Sequence, residues 1–237
     1  MTTTEQYILN YAYGHGTIVS ADILKSAEAN GISSTALNWH LRRLVSEKKL
    51  FRTGRGQYSV TGRQPFKESP DEELVRRHTE LIGQYPTVRC CLYNGTIIAP
   101  LLHHLSYNAL TYIEVDKELT EILFHRLQDS GEVVYLKPSQ EVMQNYVDIG
   151  KPGIIIKPLI TGSPTTTENG VPMPTLEKLL VDTLCDEDFS YLQGGEWYYM
   201  IEMAADNYNI NKSRLLRYAG RRGKKEIIAN KLKEFGL

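Results

Sequence analysis

One apolar stripe near the beginning of the chain leaves few folds open to that region. The stripe recurs at positions i, i+4, i+7 and i+8 and consists of Leu37, Leu41, Leu44 and Val45. Residues at this spacing lie on one face of an α-helix, so that face must pack against neighbouring elements. Ser33 or Ser34 can cap the N-terminus of this helix. The segment therefore predicts an amphipathic helix with one buried and one exposed face.

Two further helical patterns precede this stripe. Residues 5–13 place apolar side chains at helical spacing and stop at Gly14, and residues 21–30 do the same before Gly31. Ser20 is a candidate N-cap for the second of these helices. The stripe thus belongs to the third of three consecutive predicted helices.

A β-hairpin signal follows the third helix. Residues 50–52 and 57–60 alternate in polarity, as half-buried strands do, and the four residues 53–56 between them are Thr-Gly-Arg-Gly. Three helices followed by a hairpin are the pattern of a winged helix-turn-helix, which we predict over residues 1–62.

The exposed face of the third helix carries side chains that can form hydrogen bonds. A helix that enters the major groove of DNA must offer such groups to base edges, and Asn38 can bind adenine while Arg42 can bind guanine or a phosphate. Arg55 lies between two glycines at the hairpin tip, from which a long cation can reach a minor groove or a phosphate. The candidate DNA-contacting residues are Ser34, Thr35, Asn38, Trp39, Arg42, Arg43, Lys48, Lys49, Arg52 and Arg55.

Other interpretations of this region stay open. Winged helices also serve as protein-docking modules, although the basic residues between positions 33 and 65 favour a nucleic acid. Trp39 can contact DNA or pack against its own domain. His40 is expected at the surface or half buried in the helix, without a metal.

A second, larger domain is predicted from the linker onward. Residues 61–69 are polar and show no periodicity, and Ser69 followed by Pro70 predicts the start of a new helix. Strand-like and helix-like segments then alternate, which indicates α/β layering. The predicted strands are 88–93, 109–115, 132–136 and 153–159, the helices are 98–105, 117–130, 139–147, 176–184, 196–208, 213–220 and 224–235, and 164–172 is a loop. The predicted fold class is α+β, with the winged helix-turn-helix followed by an α/β domain over residues 70–237 that has a mixed sheet and C-terminal helices.

Charge is unevenly distributed along the 237 residues. The formal net charge is −1, but residues 1–65 carry net +4, residues 66–190 net −9 and residues 191–237 net +4. Such basic segments can bind a polyanion, although most charge runs are simply solvated surfaces. A possible second DNA contact is therefore formed by Arg214, Arg217, Arg221, Arg222, Lys224 and Lys225. The alternative is that these cations complement the helix dipole and the acidic middle of the chain.

A search for catalytic motifs yields one weak candidate. Glu114 and Asp116 lie two residues apart at the end of a strand, as in a metal-dependent nuclease, but Asp116 is better interpreted as a cap of the next helix. No cysteine or histidine spacing matches a metal site, and the three cysteines are expected to be buried thiols. We predict no catalytic residue, no metal and no cofactor. A nuclease or nucleotide-processing enzyme with a winged-helix targeting domain remains the alternative.

Two segments of the second domain resemble a known family. Residues 174–182, PTLEKLLVD, and residues 213–223, SRLLRYAGRRG, are similar to segments of the AbiEi-like antitoxin and transcriptional regulator family. The resemblance implies a transcriptional regulator and antitoxin of an abortive-infection toxin–antitoxin system, active in phage defence. Its first domain is expected to bind double-stranded operator DNA, as a homodimer or cooperatively.

The same resemblance implies a nucleotidyltransferase-like toxin as functional partner, opposed without a stable complex. Glu177 and Asp182, within the first segment, are expected to serve structure, through the helix dipole and through pairing with a nearby cation. The short apolar runs and the polar N-terminus predict no membrane partner and a cytoplasmic protein.

Overall fold

The computed structural model describes residues 3–15, 17–54, 56–60, 62–102 and 107–234. The chain divides into two units, of which the first contains Met1–Phe66 and Ala205–Asn209, and the second contains Lys67–Ala204 and Ile210–Leu237. The predicted division between residues 62 and 70 assigned 205–209 to the second domain. In the structure the backbone of Gln64 exchanges hydrogen bonds of 2.9 Å with Asn207 and Asn209, which attaches this short segment to the first unit.

The first unit consists of three helices and a small antiparallel sheet. Its elements, in chain order, are α1 (Thr3–His15), β1 (Thr17–Val19), α2 (Ser20–Ala29), α3 (Ser34–Ser46), β2 (Phe51–Gly54) and β3 (Gln57–Ser59). The strand order is β1-β3-β2. The three helices and the hairpin agree with the sequence prediction, whereas β1 was missed. Three residues between two helices carry no alternation of their own, and β1 is defined only by its pairing with β3.

The apolar stripe of α3 forms the centre of the first unit's core. Leu37, Leu41 and Leu44 are at most 1% exposed, whereas Val45 is only partly buried. They pack in one cluster with apolar side chains of α1, β1 and α2, namely Ile8, Leu9, Ala12, Ile18, Ile23 and Ala27. The predicted buried face of the third helix is therefore confirmed.

Two of the predicted helix caps differ in the structure. Ser33 caps α3 as expected, and its Oγ accepts a hydrogen bond of 3.2 Å from the backbone N–H of Ala36. Ser20 is not a cap, because α2 already includes it and its backbone N–H donates to Gly56. Ser69 is not a cap either, since Asp71 accepts from the N–H of Leu74 at 2.8 Å.

In the described residues, the second unit combines ten strands and helices of the α/β part with three C-terminal helices, the first of which ends in residues 205–207 of the first unit. The first group is α4 (Glu72–Gln84), β4 (Cys90–Asn94), β5 (Leu110–Val115), α5 (Thr120–Asp129), β6 (Val134–Leu136), α6 (Gln140–Tyr146), β7 (Gly153–Pro158), β8 (Thr165–Glu168), β9 (Val171–Pro174) and α7 (Leu176–Cys185). The C-terminal helices are α8 (Gly195–Asn207), α9 (Lys212–Arg221) and α10 (Lys225–Glu234). Short 3-10 helices span Gly95–Leu101, Lys117–Leu119 and Glu187–Leu192. The mixed α+β class is confirmed.

The main sheet of the second unit is mixed, with strand order β4-β5-β7-β6. β5, β7 and β6 are parallel, while β4 is antiparallel to β5. The buried run Ile154–Ile156 in the middle of β7 fits a strand that is flanked on both sides. The carboxyl ends of the three parallel strands therefore meet at one edge of the sheet.

The segment predicted as a loop at residues 164–172 is instead largely a β-hairpin. β8 and β9 pair antiparallel on either side of Asn169 and Gly170, both of which have positive φ. Asn-Gly is a strong signal for a two-residue hairpin turn, but the prolines around it concealed the strands. The predicted helix 98–105 is also corrected to the 3-10 helix Gly95–Leu101, and its last residues lie outside the described part of the chain.

No helix in the described residues is both long and apolar enough to cross a membrane.

Alanine substitutions on the two faces of α3 should change the free energy of unfolding by different amounts. Leu41→Ala removes a fully buried side chain and is expected to lower the free energy of unfolding by about 2–5 kcal/mol. Arg42→Ala, its exposed neighbour, should change that free energy by less than about 0.5 kcal/mol. Urea unfolding of the full chain followed by circular dichroism measures both, and equal losses would contradict this arrangement of the helix.

Candidate functional site

The exposed face of α3 brings together several of the residues predicted to contact DNA. Ser34, Thr35, Asn38, Trp39 and Arg42 are all exposed. The indole of Trp39 is 57% exposed, which is unusual for so large an apolar side chain. Arg43, Lys48, Lys49 and Arg52 are exposed as well, while Arg55 lies outside the described residues. We refer to Ser34, Thr35, Asn38, Trp39 and Arg42 as the α3 surface.

A buried carboxylate anchors the side of α3 next to this surface. Glu5 of α1 is 1% exposed, and its Oε1 lies 3.3 Å from both Nδ1 of His40 and Nη1 of Arg43. The guanidinium of Arg43 also lies 5.5 Å from the ring centre of Trp39. His40 is therefore a buried contact between helices rather than a surface residue. No local pattern in the sequence distinguishes Glu5, because its partner His40 lies 35 residues further along the chain.

The cations near α3 differ in how strongly they are already neutralised. Glu47 accepts hydrogen bonds from Lys49 at 2.6 Å and from Arg43 at 2.8 Å, and these bonds lower the pKa of its carboxyl to about 2. Arg42 makes no ion pair with any residue that the structure describes. Arg42 can therefore bind an external anion without first breaking an ion pair with a described residue.

The cations of the basic C-terminal region also differ, since some are exposed and others are paired with carboxylates. Arg217, Arg221 and Lys225 are exposed, and Lys224 is partly buried. Arg214 lies 3.6 Å from the carboxylate of Glu177. Arg222 requires a correction, because its side chain is 15% exposed and its guanidinium is bound to Asp182 and Asp186. It belongs to the interior of the second unit and is not a free phosphate contact.

A polar cavity of about 390 Å³ lies at the carboxyl ends of the parallel strands β5, β7 and β6. Its charged lining residues are Glu114, Lys137, Lys157, Asp182, Asp186, Glu187, Asp188 and Arg222, and Ser139 and Cys185 also line it. We call it the carboxyl-edge cavity. All of these residues belong to the second unit.

Lys178 is one of two buried ammonium groups beside this cavity. It is 1% exposed, and its Nζ donates to Glu114 at 2.7 Å and also to Asp182. Tyr93 donates to the same Glu114 oxygen at 3.2 Å, and Tyr218 donates to Asp182 at 2.7 Å. Burial would lower the pKa of Lys178, but the two carboxylates outweigh it and raise this pKa well above its usual value.

Lys157 is the second buried ammonium group. Its Nζ donates to Asp186 and to Asp188, each at 2.8 Å, and lies 4.0 Å from Glu114. It also lies 4.8 Å from the ring centre of Phe189, within the range of a cation–π contact. Burial would lower the pKa of Lys157, but these carboxylates raise it. The surrounding carboxylates therefore favour the charged form of both lysines.

The carboxylates of this network respond to burial in different ways. Burial raises the pKa of Glu114 and of Asp188. Burial would also raise the pKa of Asp186, but attraction to Lys157 and Arg222 outweighs it and lowers this pKa to about 2. We refer to Glu114, Lys157, Lys178, Asp182, Asp186, Asp188 and Arg222 as the buried ion network.

Sequence reasoning identified only part of this network. The pairing of Asp182 with a nearby cation is confirmed, but Lys157, Asp186 and Asp188 were missed, since nothing local distinguishes them from surface residues. Asp116 does hold the N-cap position of the 3-10 helix Lys117–Leu119, but its side chain makes no capping hydrogen bond. Its carboxylate instead accepts from the backbone N–H of Arg89 at 2.9 Å and from its guanidinium at 2.8 Å. Glu114 points to different partners, so the two carboxylates do not form one site.

Cysteine and metal chemistry can be assessed for the described residues. Cys90 and Cys91 are buried as expected, whereas Cys185 is only partly buried and lines the carboxyl-edge cavity. Burial raises the pKa of the Cys185 thiol to about 11, so the thiol is protonated near neutral pH. Within the described ranges, no three histidine, cysteine, aspartate or glutamate side chains converge to hold a metal ion.

The fold and these two regions define an α+β protein with an exposed basic helix in one unit and a charged cavity in the other. The chain belongs to a family of unknown function, DUF6577, whose model matches residues 36–236. The match therefore includes most of α3 and the whole lining of the carboxyl-edge cavity. No curated protein matches the chain.

The lowered pKa of Asp186 predicts how stability depends on pH. A carboxylate whose pKa falls to about 2 on folding stabilises the protein above the unfolded-state pKa of about 3.9, and loses this contribution as the pH falls toward 2. Asp186→Asn should therefore lower the free energy of unfolding by about 2–3 kcal/mol at pH 7. The difference from wild type should shrink between pH 5 and pH 2, as measured by urea unfolding. A difference that is independent of pH would contradict the role assigned to Asp186.

Proposed function

We propose that this chain is a DNA-binding transcriptional regulator that contacts operator DNA through α3 and the β2–β3 hairpin. The observation that carries the proposal is the division of α3 into two faces. Leu37, Leu41 and Leu44 are buried, while the polar and basic α3 surface is open to solvent. A recognition helix needs this division, because one face must dock on its own domain and the other must reach base edges.

The topology of the first unit supports a winged helix-turn-helix. The helices α2 and α3 are consecutive, and β2 and β3 form a hairpin directly after α3. β1 completes the sheet by pairing with β3. In this arrangement the hairpin is the wing, and its basic residues are suited to the DNA backbone beside the groove that α3 enters.

The residues of the α3 surface suggest separate roles. Asn38 has an amide that can pair with the donor and acceptor of an adenine edge, and Arg42 can bind guanine or a phosphate. Lys48, Lys49 and Arg52 are suited to phosphate contacts. Exposed cations of α9 and α10, among them Arg217, Arg221 and Lys225, are a possible second contact with the DNA backbone.

The resemblance to AbiEi-like proteins extends this proposal to an antitoxin role. Such an antitoxin would repress its own operator and oppose a nucleotidyltransferase-like toxin without binding it stably. The gene adjacent to that of the regulator is the first place to look for the toxin. Co-expression should restore the growth of cells that express that toxin, and no stable complex should be recovered. If co-expression does not restore growth, the antitoxin role is contradicted. DNA binding is tested separately and is not affected by that result.

Salt dependence tests the DNA-binding proposal directly. The probe is the duplex upstream of the regulator's own gene, with a random duplex of equal length as comparison. If about five phosphates are neutralised, the logarithm of the association constant should fall with the logarithm of salt concentration with a slope of about −4 to −5. Fluorescence anisotropy measures this slope. No binding to either duplex at moderate salt would contradict the proposal and favour a protein-docking module.

Variants of the α3 surface separate base contacts from backbone contacts. Asn38→Ala should relax the choice of base at one position, which costs about 1–3 kcal/mol on the specific duplex. Arg42→Ala should weaken binding by at least tenfold, while the control Lys117→Ala removes one exposed cation from the second unit and should change little. Equal losses for Asn38→Ala on specific and random duplexes would remove Asn38 from sequence recognition. Magnesium-dependent cleavage of the probe would favour the nuclease alternative.

A further inference from the structure

The carboxyl-edge cavity has the position and size of a small-molecule site. In open α/β sheets, ligands bind outside the carboxyl ends of the parallel strands, which is where this cavity lies. Its volume of about 390 Å³ falls within the range of about 300–1,000 Å³ that is typical of ligand pockets. The proposed DNA contact through the α3 surface makes no use of this cavity.

The charge of the cavity favours a cation over an anion. Its described lining contains five carboxylates and three cations. Two of these cations are already shared between carboxylates, Lys157 between Asp186 and Asp188, and Arg222 between Asp182 and Asp186. With every one of these groups counted as ionised, adding Lys178 behind the wall still leaves one excess negative charge. An anionic ligand would increase this imbalance, whereas a cation would remove it.

Glu114 is the carboxylate with unused binding capacity. Its side chain is 99% buried and lines the cavity. Oε1 accepts hydrogen bonds from Lys178 and Tyr93, but Oε2 accepts none from any residue in the described part of the chain. Oε2 is not among the fully enclosed atoms that lack a partner in the described residues, so it is accessible from the cavity. A ligand that donates a hydrogen bond there would add a contact that the described residues do not supply.

We propose that the carboxyl-edge cavity binds a small organic cation that carries a primary ammonium group, with Glu114 as its principal partner. The ammonium donates to Oε2 of Glu114 and neutralises the excess charge of the buried ion network. Glu187 lines the same cavity, and one of its oxygens accepts from the backbone N–H of Gln140 while the carboxylate can still pair with a cation. A diamine can therefore pair with two carboxylates, whereas a monoamine pairs with one. A metal ion is a poorer fit, because the described residues contain no converging set of three ligating side chains.

Three four-carbon probes distinguish this ligand chemistry from its alternatives. Putrescine carries two ammonium groups, 1,4-butanediol two hydroxyl groups and succinate two carboxylates. Isothermal titration of the full chain should show saturable binding of putrescine with one ligand per chain, at least tenfold tighter than binding of the other two. No saturable binding of putrescine, or tighter binding of succinate, would overturn the proposal.

A pair of isosteric variants tests the assignment of Glu114. Glu114→Gln keeps the size of the side chain but removes its charge, and should weaken putrescine binding at least tenfold. Glu118→Gln removes an equal charge from an exposed residue that does not line the cavity, and should bind as wild type does. Equal affinities for wild type and Glu114→Gln would overturn the role of Glu114.

Two further measurements keep the test valid if Glu114→Gln does not fold. Ile160→Trp fills the cavity without altering a charged group, and should abolish putrescine binding. In the wild-type chain, amide chemical shifts should change with putrescine at residues that line the cavity, such as Ser139, Cys185 and Glu187. Shift changes confined to other surfaces would overturn the proposal. None of these experiments involves DNA, so their failure would leave the proposed regulator function standing.

Discussion

Two buried ammonium groups, Lys157 and Lys178, impose the strictest condition on the second unit. Removing such a charge from water costs several kcal/mol unless carboxylates with good geometry surround it. The required carboxylates come from β5, from α7 and from the segment after α7, so none of these elements can satisfy the lysines alone. Arg222, at the end of α9, completes the set. Since Lys157 itself lies on β7, the packing of the second unit depends on bringing five parts of the chain to one point.

Charges serve two different purposes in the two units. The cations of the α3 surface are exposed, where interactions with other surface charges are weak and screened by salt, so they suit a polyanion that presents many charges at once. The charges of the buried ion network are shielded from solvent and largely neutralise one another, and the network contains one more carboxylate than cations. We propose that the first set of charges binds DNA and that the second binds one small ligand of defined charge.

Sequence reasoning predicted elements well where a strong local pattern exists. The apolar stripe of α3 placed its buried and exposed faces correctly, and the run of apolar residues in β7 correctly predicted a strand. It failed for β1 and for the hairpin of β8 and β9, because one has no local pattern and the other is interrupted by prolines. The cap predicted at Ser69 was wrong because Asp71, two residues later, accepts the hydrogen bond at the start of α4. The cap predicted at Ser20 was wrong because Ser20 lies inside α2 and its backbone N–H donates to Gly56 of the hairpin.

The order of residues alone determined the periodicity of the helices, the uneven charge of the segments and the polar face of α3, since each of these depends on residues close together in the chain. Tertiary structure alone decided which charges are buried together. Glu114 and Lys178 are 64 positions apart, and Lys157 and Asp188 are 31 apart. Arg222 was predicted to be an exposed basic residue, but in the folded chain it is largely buried. Electrostatic partners are set by distance in space, which a single sequence does not encode locally.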